Sequence, residues 1–385
     1  MASQHGYRYH SLRRWIACIG LFGLAGIASL SIAATYTITD LGPNTVALDI
    51  NGSGWVAGNV LDPVQGFGLT QAFVYDNAGL HLLGTVGGTE SAARAINTFG
   101  VVVGGWVALD GTVHAFLHTG TAPLQPSDEL PALVGFERNT ADDLNDAGVA
   151  VGGAFHPNGG DTRAVKWQQG GVADLSPLAG GNNAGATAIS AAGQIAGYSN
   201  SATTHPTRPH ATLFDAAGIH DLGVLAGGEV SFAYDLNDRG QVVGYSEYVS
   251  GLGHAFLWEN GLMTDLGIGV DSTALGINSS GQIVGRAAFS VGSSTDRAFL
   301  WQNGTTVDLN SLTGMASGWL LNSANAINDL GQIVGYGTYQ GQTHGFILTQ
   351  AVPEPSTMPL AIAALLSLVG VARSRLKPVC ARLTL

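Results

Sequence analysis

Cysteine is almost absent from this 385-residue sequence, which contains Cys18 near one end and Cys380 near the other. Both positions lie in terminal segments that have the composition of targeting signals. The long middle part of the chain therefore has no cysteine for a disulfide framework. Its stability must come from side-chain packing and strand pairing.

Positive charge is also scarce in the middle of the chain. Between residues 35 and 350 there are eight Lys or Arg against 26 Asp or Glu, a formal charge of −18. Nucleic-acid binding needs clustered Lys and Arg against phosphate, so this composition excludes a nucleic-acid partner. An acidic body tolerates cations, and it also favours solubility.

Long apolar runs are confined to the two ends. Arg8, Arg13 and Arg14 precede an apolar stretch over residues 15–32, which ends in small residues at Ala33 and Ala34. This order of charged, apolar and small residues is typical of a secretory signal peptide, and it predicts one over residues 1–34. An uncleaved membrane anchor is the alternative.

The C-terminal segment, residues 351–385, contains a turn-forming tripeptide, an apolar run over residues 358–372 and then basic residues. Fifteen helical residues reach only about 22 Å, short of a ~30 Å hydrocarbon core, which suits a transient anchor. The residues that carry the pattern are Pro353, Glu354, Pro355, Arg373 and Arg375. They resemble the PEP-CTERM sorting signal, with a short transmembrane segment.

That resemblance implies several properties of the whole chain. A sorting protease of the exosortase type would recognise the tail in a Gram-negative bacterium. The protein would be anchored transiently in the inner membrane and then delivered to the cell surface or the medium, alongside exopolysaccharide production. A plain membrane anchor is the alternative interpretation.

Glycine is abundant, with 56 residues, and much of it belongs to one repeated phrase. The phrase is Asn or Ser, two residues, Gly, three residues, Gly, and its copies start 46, 48, 45, 47, 41 and 50 residues apart. The seven copies are Asn51/Gly54/Gly58, Asn97/Gly100/Gly104, Asn145/Gly148/Gly152, Ser190/Gly193/Gly197, Asn237/Gly240/Gly244, Asn278/Gly281/Gly285 and Asn328/Gly331/Gly335.

Each copy predicts four short strands. The Asn ends a first strand and favours a hairpin turn, in which the first Gly takes a positive φ. The second strand contains the second Gly, which indicates a close backbone approach. A third strand begins with His, Arg or Gln followed by Ala in most copies, and a fourth strand ends in Asp-Leu, as at Asp265. Four strands in about 46 residues match a propeller blade.

The two ends of the repeat region complete each other. The segment TYTITDLG, which ends with Asp40 and Leu41, is a fourth strand without a preceding blade, and the seventh copy lacks its fourth strand. The sequence therefore predicts an all-β fold over residues 35–350: a seven-bladed β-propeller of four-stranded blades, closed by an N-terminal strand that completes the last blade. The second copy lacks the Asp-Leu pair, so the pattern does not define its fourth strand.

The repeated phrase, as in LNDRGQVVGYSEYVSGLGHAFLWENGLMTDLG, resembles the bacterial extracellular HAF repeat family over roughly residues 36–348. The resemblance implies export and repetition and no shared catalytic activity. No nucleophile elbow, phosphate-binding loop, zinc spacing or dinucleotide fingerprint is present. We therefore assign no catalytic, cofactor-binding or metal-binding residues from the sequence.

Two features of the sequence could indicate a metal site, the third-strand histidines and the loop at Asp49, and each also has a structural explanation. Four third strands start with a histidine, His114, His210, His254 and His344, where other copies have Arg163, Arg297 or Gln71. Equal repeat phase places these histidines in different blades, which favours a structural role bridging blade to blade, to the Asp of the fourth strand. The DINGSG loop at Asp49 resembles the start of a calcium loop, but its twelfth position is Val60, so turn chemistry is favoured over calcium.

The function that these features favour is an exported, cell-surface or extracellular binding or structural module. Its partner would be exopolysaccharide or a matrix protein of a biofilm. The loops between second and third strands contain aromatic residues expected to be exposed, Phe67, Tyr248 and Tyr339. The alternatives are a propeller enzyme, a hydrolase or lyase acting on extracellular polysaccharide, and a matrix component without a discrete ligand.

Overall fold

The computed structural model describes residues 36–61, 70–202, 205–249, 251–290, 293, 295–312 and 318–351. All of them belong to one compact unit. The predicted signal peptide, the sorting motif with Pro353, Glu354, Pro355, Arg373 and Arg375, and Phe67 lie outside the described residues. In the part of the chain that is described, no helix is long and apolar enough to cross a membrane.

The first three blades follow one another along the chain after strand β1 (Tyr36–Pro43). Blade 1 contains β2 (Thr45–Ile50), β3 (Val56–Leu61), β4 (Thr70–Asp76) and β5 (Gly79–Leu82); blade 2 contains β6 (Glu90–Ile96), β7 (Val101–Val107) and β8 (Val113–Thr119); and blade 3 contains β9 (Arg138–Leu144), β10 (Ala150–Phe155), β11 (Thr162–Gln168) and β12 (Gly171–Asp174).

Four more blades complete the ring. Blade 4 contains β13 (Ala184–Ile189), β14 (Ile195–Ser201), β15 (His205–Asp215) and β16 (Gly218–Asp221); blade 5 contains β17 (Ser231–Leu236), β18 (Val242–Glu247), β19 (Gly253–Glu259) and β20 (Leu262–Asp265); blade 6 contains β21 (Asp271–Ile277), β22 (Ile283–Ala288), β23 (Arg297–Gln302) and β24 (Thr305–Asp308); and blade 7 contains β25 (Trp319–Ile327), β26 (Ile333–Tyr339), β27 (Gln342–Gln350) and the N-terminal β1.

The predicted seven-bladed β-propeller is confirmed, including its closure. Strand β1 pairs antiparallel with β27 and so supplies the fourth strand of blade 7, with Ile38 opposite Leu348. Every neighbouring pair of strands within a blade is antiparallel. The only helical turns among the described residues are two short 3-10 segments, Pro126–Asp128 and Leu309–Ser311.

Blade 2 has three strands where the described residues of the other blades form four. After β8 the chain forms the 3-10 turn Pro126–Asp128 and then touches the sheet at one isolated bridge, Phe116 opposite Glu129. The same register place is occupied by the fourth-strand Asp in other blades, as in Phe256 opposite Asp265. Glu129 therefore stands where the missing fourth strand would have its Asp.

The core lies between neighbouring blades. One cluster joins Phe73 and Ile50 of blade 1 to Val334 and Ile347 of blade 7. In five blades a Phe follows two residues after the His, Arg or Gln of the third strand, and its side chain is fully buried. These residues are Phe73, Phe116, Phe256, Phe299 and Phe346. Burying a side chain of this size stabilises a fold by about 1.5–3 kcal/mol. The blades are therefore joined mainly by apolar packing.

Candidate functional site: the central channel

A β-bulge in the first strand of every blade points one residue at the common axis. In each case the pairing with the second strand skips a single residue, for example between Ala47 and Asp49 in blade 1. The skipped residue lies three positions before the Asn or Ser of the repeat. These seven residues, called the channel ring below, are Leu48, Arg94, Asp142, Thr187, Tyr234, Leu275 and Asn325. Together they line a cavity of about 350 Å³.

The channel ring contains one ion pair. The Nε of Arg94 lies 3.2 Å from Oδ1 of Asp142, across the junction between blades 2 and 3. Burial raises the pKa of Asp142, and the positive charge of Arg94 opposes that rise. The hydroxyl of Thr140 donates to the other oxygen of Asp142 at 3.3 Å. The charges of the channel ring therefore largely compensate each other.

The rest of the channel ring mixes polar and apolar groups. Thr187 donates to the carbonyl of Ala233 at 2.9 Å, and the Nδ2 of Asn325 donates to the carbonyl of Ala47 at 2.7 Å. Burial raises the pKa of Tyr234, although 36% of this residue is exposed. Such a surface can stack on an apolar face and form hydrogen bonds beside it.

Three aspartates follow directly after channel-ring residues, in alternate blades. Asp49 accepts backbone N–H groups from Ile50 in its own blade and from Ile96 in blade 2, at 2.7 and 2.8 Å. Asp143 and Asp235 repeat this arrangement with Ile189 and Ile277 of the following blades. Each carboxylate therefore connects two neighbouring blades.

Burial has the largest effect on the pKa of each of these aspartates, although a small fraction of each residue is exposed. It raises the pKa of Asp235 to about 7, against the opposing effect of two backbone N–H donors. Burial also raises the pKa of Asp143 well above its usual value, and the negative charges of Asp49 and Asp235 add to the shift. Asp235 is therefore a carboxyl group that can hold a proton near neutral pH.

The repeat asparagines form a ring of their own, called the asparagine belt. Asn51 donates from Nδ2 to the carbonyl of Asn97 in the next blade, at 2.9 Å. The same bond recurs from Asn97 to Asn145, Asn145 to Ser190, Asn237 to Asn278, Asn278 to Asn328 and Asn328 to Asn51. The sequence predicted a turn role for these residues, and the link between blades was not recognised.

The turn role is visible as well. The Oδ1 of Asn51 accepts the backbone N–H groups of Ser53 and Trp55, and the other repeat asparagines accept at the equivalent places. The first glycine of every copy has a positive φ: Gly54, Gly100, Gly148, Gly193, Gly240, Gly281 and Gly331. A non-glycine residue would be strained at that place.

The second glycine of each copy permits a close contact between strands. A Cβ on Gly58, Gly104, Gly152, Gly197, Gly244, Gly285 or Gly335 would overlap a backbone carbonyl oxygen of the first strand. In blades 1, 2 and 6 it would also meet the ring of the buried third-strand Phe, such as Phe116. These glycines therefore allow the first strand, the second strand and the core to pack closely together.

The third-strand histidines do pair with the fourth-strand aspartates, but within one blade and not between blades. His210 lies 3.0 Å from Asp221, and His254 lies 2.8 Å from Asp265. His344 binds Asp40 at 2.8 Å, since β1 completes its blade. The predicted bridge between blades is wrong, because the partner strand runs beside the third strand in the same sheet.

The residue that begins the third strand and the residue that faces it from the fourth strand change together from blade to blade. Arg163 and Arg297 face Asp174 and Asp308, and His114 faces Glu129 at 2.7 Å in the three-stranded blade. Blade 1 lacks the acid, with Leu82 at that place, and there the third strand starts with the neutral Gln71. Among the described residues, no three His, Cys, Asp or Glu side chains form a group that could hold a metal ion.

Asp49, the residue weighed for calcium, has both oxygens hydrogen-bonded to backbone N–H groups. In the same loop, the Oδ1 of Asn51 is hydrogen-bonded to the N–H groups of Ser53 and Trp55. A cation in this loop would have to displace these donors. The geometry is that of a turn stabilised by its own side chains.

The two described loop aromatics are less exposed than expected. Tyr248 stacks on the imidazole of His254 with ring centres 4.8 Å apart, and Tyr339 stacks on Trp319 at 5.0 Å. Both tyrosines are partly buried. Tyr339 ends β26 opposite Trp319 of β25, and Tyr248 follows directly after β18, so both rings pack against a neighbouring strand.

The channel ring was missed by sequence reasoning, although a signal for it exists. An Ala precedes the ring position in every copy, and an Ile or Leu lies two places after it, whereas the ring position itself changes in nearly every copy. Variation inside an otherwise constant phrase marks a side chain that the fold does not need. Without knowledge of the bulge, that side chain could not be assigned to the axis.

No protein-family model matches this chain, and no curated protein matches it in sequence. Similar solved structures exist at low identity. A puromycin-hydrolyzing peptidase of Mycobacterium tuberculosis is 12% identical with a TM-score of 0.50, over 82% of this chain and 53% of that one. The chain thus spans about half the length of that peptidase.

A second similar structure is AofleA from Arthrobotrys oligospora, solved as a triple arginine-to-alanine mutant. It is 11% identical with a TM-score of 0.38, over 82% of this chain and 86% of that one. At such identities a likeness in structure concerns the fold alone.

Proposed function

We propose that this protein is an exported β-propeller that serves as a binding module at the cell surface or in the extracellular matrix. The observation that carries the proposal is the channel ring, in which seven equivalent positions hold six different residue types. A ring needed only for folding has no reason to vary when the Ala before it and the Ile or Leu two places after it recur in every copy. A ring that recognises an asymmetric ligand does.

The chemistry of the channel ring favours a sugar polymer as the ligand. Tyr234 offers an aromatic surface, and Thr187 and Asn325 offer hydrogen-bonding groups around it. Sugars present both apolar faces and hydroxyl groups, so they suit a mixed surface of this kind. The acidic body disfavours phosphate-rich polymers. Exopolysaccharide of the producing cell is therefore the proposed ligand, and a matrix protein is the other partner considered.

The terminal segments support export. Residues 1–34 would direct secretion, and residues 351–385 would hold the chain in the inner membrane until an exosortase-type protease processes it. Cell fractionation of the full chain tests this route: we expect the protein at the surface or in the medium without its tail. A Glu354→Ala variant should accumulate in the membrane fraction with the tail attached. Equal release of both proteins would contradict the sorting proposal.

Co-sedimentation with the producing cells' exopolysaccharide tests the binding proposal. We expect saturable binding by the full chain, and at least tenfold weaker binding by Tyr234→Ala in the channel ring. Leu262→Ala is the matched control, because Leu262 is an exposed residue on the fourth strand of the same blade. Absence of binding by the wild-type protein would contradict the proposal.

A second candidate function is a hydrolase or lyase acting on the same polymer. It is favoured by Asp142, a channel carboxyl whose pKa is raised by burial, as a general acid requires. Assays for new reducing ends and for unsaturated products, made on the same samples, separate the two functions. Activity that is lost in Asp142→Asn would make the channel an active site.

A further inference from the structure

The junction between blades 2 and 3 contains a groove. Two cavities of about 140 and 360 Å³ lie there and share Val113 and Thr140 in their walls. The smaller one also shares Arg94 with the central channel. The three spaces therefore lie next to one another, and the two cavities outside the channel are called the side groove below.

A single glycine opens the side groove. The residue after the second repeat glycine is Asn59, Gly105, Gly153, Tyr198, Tyr245, Arg286 or Tyr336 in the seven copies. In blade 1 this side chain reaches the next blade, since Asn59 accepts the N–H of Ala93 at 3.0 Å. In blade 4 it does so again, since the ring of Tyr198 lies 5.1 Å from that of Phe232. Gly105 leaves the equivalent space unfilled.

The backbone does not require glycine at position 105. A Cβ there would lie 3.5 Å from the nearest atoms, the carbonyl oxygen of His114 and a methyl of Thr140, which is an ordinary contact. Its φ is not positive either. The neighbouring Gly104, in contrast, has a carbonyl oxygen where its Cβ would be. The missing side chain at 105 is therefore a property of the groove and not of the fold.

The walls of the outer cavity combine flat apolar surface with a free positive charge. Val113 and Phe155 supply apolar surface, and His156 and Thr162 supply polar groups at the edge. Arg138 is exposed and forms no ion pair with the described residues. The carboxylate of Asp161, in the same wall, is already bound by Arg163 and Asn182. The outer cavity therefore presents the unpaired guanidinium of Arg138 beside Asp161, whose cation Arg163 is shared with Asp174.

The charged side chains in the wall differ between the inner and the outer cavity of the side groove. In the inner cavity Arg94 is paired with Asp142, and Glu90 adds a carboxylate. An acidic ligand group is thus disfavoured near the axis and favoured at the rim, beside Arg138. This arrangement fits a sugar ring that rests on the apolar wall and carries a carboxylate.

We infer that the side groove binds an acidic sugar, a uronic-acid unit, with its carboxylate on Arg138 and its ring against Phe155 and Val113. The inference rests on the proposed function only for the source of that sugar, a strand of exopolysaccharide. The chain would leave the groove towards the channel through the space opened by Gly105.

Titration calorimetry with the full chain in mild detergent tests this site, using oligogalacturonate as the probe and a neutral galacto-oligosaccharide of the same length beside it. We expect the acidic probe to bind at least tenfold more tightly than the neutral one. Gly105→Tyr, which restores the residue of three other copies, should weaken binding at least tenfold. Arg138→Gln should do the same.

Arg239→Gln is the matched control, because Arg239 is an exposed arginine in a first-to-second-strand turn, at the opposite end of the blades from Arg138. It should leave the affinity unchanged. Thermal unfolding of each variant shows whether it is folded. If Gly105→Tyr does not fold, Arg138→Gln decides, and an unchanged affinity in that variant overturns the inference.

The polymer assay separates this inference from the proposed function. Exopolysaccharide binding that is retained in Gly105→Tyr and Arg138→Gln would overturn the side groove and leave the binding module intact. Binding of oligogalacturonate at the groove without binding of the native polymer would support the groove and contradict the proposed function. Equal affinity for the acidic and neutral probes would overturn the role of Arg138.

Discussion

Two adjacent glycines, Gly104 and Gly105, separate what the fold requires from what the side groove uses. The first has a carbonyl oxygen of the neighbouring strand at the place of its Cβ, together with the ring of Phe116. At the second, a Cβ would have only ordinary contacts of 3.5 Å, between two blades. At the scale of one residue, therefore, the same amino acid serves packing at one position and access at the next.

Alanine substitutions distinguish the two roles. Gly104→Ala should destabilise the protein by more than about 3 kcal/mol, because overpacking costs 1–3 kcal/mol even where side chains can shift, and here the obstacle is backbone. Gly105→Ala should change the free energy of unfolding by less than about 1 kcal/mol. Urea unfolding measures both. If the two variants lose similar amounts of unfolding free energy, Gly104 and Gly105 do not have different roles.

A buried carboxyl gives the stability an unusual pH dependence. The pKa of Asp235 is about 7 in the folded protein against a usual value of 3.8. Between pH 4 and 7 the folded state therefore holds a proton that the unfolded state has released. The free energy of unfolding then falls as pH rises through this window, by at most about 1.4 kcal/mol per pH unit for one such group.

Asp235→Asn tests that contribution. Its unfolding free energy should fall less steeply between pH 4.5 and 7 than that of the wild type, although its absolute stability is lower because the amide must face backbone N–H donors. Asp49 and Asp143 should keep part of the slope. Asp238→Asn, at an exposed turn in the same blade, is the control and should retain the wild-type slope. Identical slopes in wild type and Asp235→Asn would refute the argument.

At the scale of one blade, the carboxylates follow a two-blade alternation. Asp49, Asp143 and Asp235 of blades 1, 3 and 5 accept N–H groups from the following even-numbered blades. Asp146, Asp238 and Asp329 of blades 3, 5 and 7 accept N–H groups from the preceding even-numbered blades. Even-numbered blades are therefore held by aspartates on both sides, and the pattern repeats every two blades.

The asparagine belt has one gap, and filling it should stabilise the ring. Ser190 of blade 4 is too short to reach the carbonyl of Asn237, whereas the Asn of each other copy reaches the next blade. Ser190→Asn should add one buried hydrogen bond and raise the free energy of unfolding by about 0.5–1.5 kcal/mol. Denaturant unfolding measures the change.

The reverse substitution is the control for the belt. Asn145→Ser should remove one link to blade 4 and lower stability by a similar or larger amount, since it also weakens the caps on Ala147 and Val149. If Ser190→Asn does not raise the free energy of unfolding, or lowers it, the belt does not contribute to stability as its geometry indicates.

Much of the element-scale architecture could be predicted, because it follows from the repeat phase. The turn at Asn51 and the number of blades come directly from spacing and residue type. The bulge at Leu48 and the link from Asn51 to Asn97 depend on how neighbouring sheets twist and pack, and a linear pattern contains no such information. The pairing of His254 with Asp265 was predicted by chemistry, but its location within one blade required the register.

At the scale of the whole ring, an odd number of blades forces the alternation to fail once. It fails where blade 7 meets blade 1, and there Ala326 and Gly52 occupy the two places that hold aspartates elsewhere. This junction relies instead on Asn325 and Asn328, which bind carbonyls of blade 1. Strand β1 adds its own pairing with β27. The junction without these aspartates is thus the one closed by the N-terminal strand.

Deleting residues 36–43 should therefore open the ring at this junction. The loss should exceed about 3 kcal/mol, since Tyr36 and Leu41 are both buried and each contributes about 1.5–3 kcal/mol. The exposed edge of β27 should also become accessible to protease, because it loses its pairing partner. Urea unfolding and limited proteolysis measure the two effects, and an unchanged unfolding midpoint would contradict them.

The synthetic peptide YTITDLGP, added in trans, provides the decisive control for this deletion. It should restore the midpoint in a concentration-dependent way, because it can add to the open edge of β27 as a strand and bind only the folded state. A peptide with Lys in place of Asp40 should bind less tightly, since it loses the contact to His344. Rescue by a scrambled peptide would mean that edge pairing alone, without the register of β1, closes the propeller.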